Sequence, residues 1–89
     1  MMTTSRYSSE ATRRFAKDLA KENGERYIAR GKKTIDELAV LARKSGEETI
    51  TIIEERGKKP ALASRIRIDE QGCWRWEEER LLNPTEKTG

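Results

Sequence analysis

The chain predicts a single small α/β domain, a mixed β-sheet with two helices packed on it and elements in the order β-α-β-α-β-β-β. Three observations predict it. Its 89 residues amount to one domain. Two stretches repeat apolar residues at helical spacing, and the others are β-branched or alternate with polar residues. Apolar residues make up 34% against 39% charged, which leaves material for a thin core only.

Met1–Ser5 reads as a short opening strand. Ser8 or Ser9 caps the first helix, with Glu10 in the first turn, where the helix dipole favours an acid. Ala11, Phe15 and Leu19 recur every fourth residue beside Ala16 and Ala20, and Gly24 supplies the left-handed stop. Glu25–Arg30 reads as a second strand centred on Tyr27 and Ile28. Thr34-Ile35-Asp36-Glu37 matches a capping box, in which hydroxyl and carboxylate satisfy each other's backbone amides. Ile35, Leu38, Ala39 and Ala42 follow on one helical face, and Gly46 closes it. Thr49–Ile53 is β-branched throughout, as suits a central strand buried on both faces. Gly57-Lys58-Lys59-Pro60 is a turn, Leu62–Ile68 alternates as a half-buried antiparallel strand, Glu70-Gln71-Gly72 turns again, and Cys73–Leu82 is the last strand. The domain is expected over residues 1–82, with 83–89 as a flexible C-terminal tail carrying Pro84 and small polar residues.

No apolar run approaches the roughly 18–20 residues of a membrane span and no leader pattern is present, so no membrane partner and a cytoplasmic location are expected. Histidine is absent and Cys73 is the only cysteine. That excludes Ser-His and Cys-His nucleophile pairs, thiolate zinc clusters and disulfides. The expectation is a protein that is not an enzyme, with no catalytic residue, metal ligand or cofactor. Charge is uneven: residues 1–33 carry nine Lys/Arg against four Asp/Glu, and residues 34–89 carry ten against twelve. A basic half of this kind suits an anionic partner.

Helical crossovers join parallel strands, so the first three strands should end at one sheet edge, where open α/β sheets bind ligands. Three loops leave that edge: Thr3-Thr4-Ser5-Arg6, Arg30-Gly31-Lys32-Lys33 and Arg56-Gly57-Lys58-Lys59. The first two run into helix N-termini, whose free amides suit phosphate. Arg6 and Lys33 are therefore expected beside those N-termini, and Arg30, Lys32, Lys58 and Lys59 along the same rim. Against this stands the reading of solvated loop lysines partly neutralised by Glu54 and Glu55. No GxxxxGK pattern is present, so neither glycine loop is a P-loop and nucleotide hydrolysis is not expected. Trp74 and Trp76 are expected in core or interface packing before base stacking, Cys73 as a partly buried inert thiol, and Glu77–Glu79 as a solvated rim.

Taken in order, Thr3-Thr4-Ser5-Arg6 before a helix with Thr12-Arg13-Arg14-Phe15, then Arg26-Tyr27-Ile28-Ala29-Arg30-Gly31-Lys32, then Asp36-Glu37-Leu38 and the strand–turn–strand from Thr51 to Ile68, resemble the Brix-domain ribosome-biogenesis proteins of archaeal type. Leu82-Asn83-Pro84 resembles the close of the family's first half, so the chain corresponds to the N-terminal half of the domain. The resemblance implies two similar α/β halves related to an anticodon-binding domain, and a non-enzymatic role in rRNA processing and subunit assembly. It implies ribosomal RNA or a pre-ribosomal particle as partner, and RNA contacts at Ser5, Arg6, Arg13, Arg30 and Lys32. One half with a free sheet edge also predicts self-association as a homodimer. The competing reading is a protein–protein adaptor docking through its sheet edge or tryptophan face.

Overall fold

The computed structural model describes residues 1–82; the expected tail, 83–89, lies outside the described residues. Six elements follow the chain: β1 (Met2–Thr4), α1 (Glu10–Asn23), α2 (Ile35–Lys44), β2 (Thr49–Arg56), β3 (Lys59–Ile68) and β4 (Trp74–Leu81). The strands form one sheet in the order β1-β2-β3-β4, with β1 parallel to β2 and the other pairs antiparallel. The α/β class and the mixed sheet are as the sequence predicts.

One element is shorter than predicted. Glu25–Arg30 is not a full strand: it makes a single parallel bridge, Tyr27 to Met2, on the free side of β1. The Met2 N–H donates to Arg26 O at 2.8 Å and the Ile28 N–H to Met2 O at 2.9 Å. The next rung would need the carbonyl of Thr4, and the guanidinium of Arg30 takes it instead, Nη1 donating at 2.9 Å. A side chain thus replaces a backbone donor, and the ladder stops.

The core lies on both faces of β2, whose residues Ile50–Ile53 are all buried. On one face α2 lays Leu38, Ala39 and Ala42 over Ile50, Ile52, Ile66 and Ile68. On the other, α1 lays Ala16 and Ala20 over Met2, Ile53 and Ala63. Adjacent residues of a strand point to opposite faces, so Ile52 and Ile53 place the two helices on opposite sides of the sheet. Chain order accounts for this. The first crossover moves outward from β1 to Tyr27 and the second moves back across β1 to β2; right-handed crossings in opposite directions occupy opposite faces.

Helix ends follow their local signals. Ser9 caps α1, and Gly24, at φ 70°, ends it with Glu25 N–H bonded back to Ala20 O at 2.8 Å. Thr34 and Glu37 form the full capping box of α2. Between β2 and β3 the central turn residues Gly57 and Lys58 both have positive φ, 59° and 64°, as a type I′ hairpin turn requires.

β4 is the outer strand and is exposed along its length except at Trp74. Trp74 is half-buried against the α2-side core and its indole N–H donates to Asp36. Trp76 meets it edge-to-face, with centroids 5.9 Å apart, and is itself 52% exposed. Cys73, expected to be partly buried, is exposed, because the turn before β4 carries it outside the sheet's packed faces. Among the described residues no helix is long and apolar enough to cross a membrane.

Candidate nucleic-acid interface

Because β1, the Tyr27 bridge and β2 run parallel, their carboxyl ends open on one edge. Hydrogen bonds tie the loops together there: Ser5 N–H donates to Ile53 O at 3.0 Å, Ser9 N–H to Glu55 at 2.9 Å, and the Arg30 guanidinium to Thr4 O at 2.9 Å. The loop after β1 enters α1 on one face, and the loop after Tyr27 leads to α2 on the other. Adjacent strands whose loops part to opposite faces leave a crevice between them, the usual ligand position in open α/β sheets. Such a crevice is present, about 330 Å³, between the end of β1 and the Ala29–Lys32 loop. A larger hollow of about 520 Å³ lies on the outer flank of α2 beside Val40 and Arg43. It has no strand ends pointing into it, and its Arg43 is committed to Glu70 O at 3.0 Å.

The expected cations are brought to this rim in different states. Arg6 is exposed, its guanidinium 5.7 Å from the centroid of the Tyr7 ring. Arg13, from the first turn of α1, reaches over the crevice and donates to Ser8 O. Lys32 lies exposed on the crevice wall. Lys33 is half-buried, with Nζ donating to Ala29 O at 3.2 Å. Lys58 and Lys59 are exposed on the β2–β3 turn, and Ser5 lines the crevice half-buried.

Arg30 differs from the rest. It is only 8% exposed, and its guanidinium ties two loops together by donating to Thr4 O at 2.9 Å and Lys33 O at 2.7 Å. Burial, then the charge of Arg6, push its pKa below the usual value, while Glu54 pulls it back. Arg30 therefore shapes the crevice and adds positive potential to its floor more than it offers free donors.

Neither helix N-terminus is open to an external anion in the way expected for Arg6 and Lys33. At α1, one carboxylate oxygen of Glu55 accepts from Ser9 N–H at 2.9 Å, from the Ser9 hydroxyl at 2.8 Å and from the Thr12 hydroxyl at 2.6 Å. Those bonds, Thr12's foremost, hold the Glu55 carboxyl below the usual carboxylate range. At α2, Glu37 accepts from Thr34 N–H at 2.8 Å. An internal carboxylate sits at each dipole end, so any anion at this edge meets side-chain cations. Two residues here escaped sequence reasoning, Glu55 as a latch and Tyr7 at the crevice mouth. Neither has a local pattern, since Glu55 lies 46 residues from Ser9 and nothing in Arg6-Tyr7-Ser8 announces a positive φ. Among the described residues no group of three or more acidic or cysteine side chains is placed to hold a metal ion.

No protein-family model matches the chain. No curated protein matches it either. Among solved structures, this fold is found over about half the length of two proteins. A probable ribosomal biogenesis protein from Aeropyrum pernix K1 superposes with a TM-score of 0.84 at 26% identity, over 93% of this chain and 47% of that one. Mil (Mth680), an archaeal Imp4-like protein, matches at 35% identity with a TM-score of 0.68, over 83% of this chain and 46% of that one. The chain spans about half the length of the solved proteins it matches. It is thus similar to one half of an archaeal Imp4-like protein of the Brix-domain family, as its sequence motifs imply.

Proposed function

We propose that this chain acts in ribosome biogenesis as a non-enzymatic, cytoplasmic RNA-binding unit, gripping phosphates of ribosomal RNA or a pre-ribosomal particle with the basic loops at the carboxyl edge of its sheet. The observation that carries this is convergence. Arg6, Arg13, Lys32, Lys58 and Lys59 come from three separate loops and one helix turn, yet all lie exposed at the carboxyl edge of the sheet, where Arg13 and Lys32 line the crevice and the other three stand on the loops leaving that edge. Solvated loop lysines would need no such gathering. The likeness to a probable ribosomal biogenesis protein and to an archaeal Imp4-like protein supports the same role.

The test is RNA affinity across several salt concentrations. If about four phosphates are contacted, log affinity should fall against log salt with a slope of roughly −3 to −4. Replacing Lys32 and Lys59 together with alanine should weaken binding to all RNAs alike and flatten that slope by about one and a half to two. Superimposed lines for wild type and variant would reject the rim.

A second reading is favoured by one feature, the exposure of Trp76 (52%) and Leu81 (76%) on the outer strand. On it, β4 docks a protein partner, in the first instance a second copy of this chain.

A further inference from the structure

We infer that the crevice beside Arg30 receives one unpaired RNA nucleotide, with its base stacked on Tyr7 and its phosphate held by Arg13 and Lys32. This rests on the phosphate-binding reading and adds which form of RNA is read.

Tyr7 has φ 58°, in the left-handed region that a side chain with a Cβ enters only at a cost. Its ring is 78% exposed, so burial does not compensate that strain. Glycine or asparagine would serve the turn better if the turn were all that mattered. Strained residues are retained where the strained geometry is used, and here it holds an aromatic ring at the mouth of a crevice. The Arg6 guanidinium lies over one face of the ring, 5.7 Å from its centroid, so a base stacks on the opposite face with a cation behind the ring. Unpaired bases stack on such aromatic rings and guanidinium planes, whereas the bases of an A-form duplex are already stacked and out of reach. The volume of about 330 Å³ is at the small end of ligand pockets, enough for a single nucleotide. Arg13 and Lys32 stand on its two walls, placed to share a phosphate.

The experiment uses a single-stranded RNA of about eight nucleotides containing one 2-aminopurine, and a duplex of equal length. Both are titrated with the wild-type chain, Tyr7→Phe and Tyr7→Gly at several salt concentrations. The wild type should prefer the single strand and quench the 2-aminopurine, and Tyr7→Phe should do the same. Tyr7→Gly should lose about 5- to 150-fold in single-strand affinity, the equivalent of one stacked base, and lose the quench. Its duplex affinity and its salt slope should stay unchanged. Its thermal midpoint should equal or exceed that of wild type, because glycine accepts a positive φ without strain, so the loss cannot be a folding defect. Full single-strand affinity in Tyr7→Gly, with the salt slope intact, overturns this inference and leaves the phosphate rim standing. Absence of salt-dependent binding to either RNA overturns both.

Discussion

Glu55 is an acid placed in the middle of a basic rim, and its surroundings explain why it is stable there. Three donors from Ser9 and Thr12 converge on one of its oxygens, at the positive end of α1. A group whose folded pKa is depressed adds stability that is complete above its unfolded value, here 4.5, and is lost as pH falls through the folded value. Glu47 acts in the same direction. Burial pushes its carboxyl up, but hydrogen bonds from the Met1 amine and Arg26 outweigh that and hold it below its usual value. The thermal midpoint should therefore be flat above about pH 5.5 and fall steadily below about pH 4.5. Glu55→Gln should lower the midpoint at neutral pH and make the acid-side fall shallower, with Glu47 and Glu77, whose carboxyl the hydrogen bond from Arg67 also holds low, supplying what remains. An acid limb equally steep in wild type and Glu55→Gln would show that the latch contributes nothing. At this scale the sequence is least legible. Arg30 reads as a free cation because a loop cation and a buried strut look alike until Thr4 O is seen to need a donor.

The elements were far more legible, because most are specified by signals a few residues apart. The T-x-x-E box begins α2 at Thr34, and both of its reciprocal bonds form, 3.1 Å from Glu37 N–H to Thr34 Oγ1 and 2.8 Å from Thr34 N–H to Glu37 Oε1. Thr34→Ala removes the first bond and leaves the Glu37 amide without its partner, so a destabilisation of about 1 kcal/mol is expected. Chemical denaturation should show it as a lower midpoint at unchanged slope. Thr34→Ser keeps the hydroxyl and should behave as wild type, which ties the loss to the cap bond. The β-branched run of β2 likewise announces a strand buried on both faces, and alternation announces β3. Glu25–Arg30 fails as a strand for a reason no local pattern holds: its partner β1 is three residues long, and one of its carbonyls is claimed by Arg30.

At the scale of the whole molecule, two asymmetries matter, a basic carboxyl edge and an unpaired outer strand. Among the described residues β4 has β3 on one side and no strand on the other. Free edges invite pairing with another chain unless they are blunted. Charge blunts this one only in part, because Arg67 neutralises Glu77 at 3.0 Å and leaves Trp76 and Leu81 exposed. An antiparallel pairing of two copies about Glu77 would set Arg75 against Glu79 and Trp74 against Arg80 across a two-fold axis, opposite charges in the first pair and a cation near an indole in the second. The match leaves about half of each of the two neighbouring chains uncovered, since this chain spans 46% and 47% of them. The expected outcome in sedimentation of the 89-residue chain is a concentration-dependent rise from 10.3 kDa toward twice that mass. Trp76→Lys and Glu79→Arg should each hold the chain at the monomer mass while RNA affinity at low protein concentration stays as in wild type, since the carboxyl-edge loops are untouched. A mass of 10.3 kDa at every concentration would remove the edge as a dimer site, and with it the second copy that the adaptor reading names as its first partner.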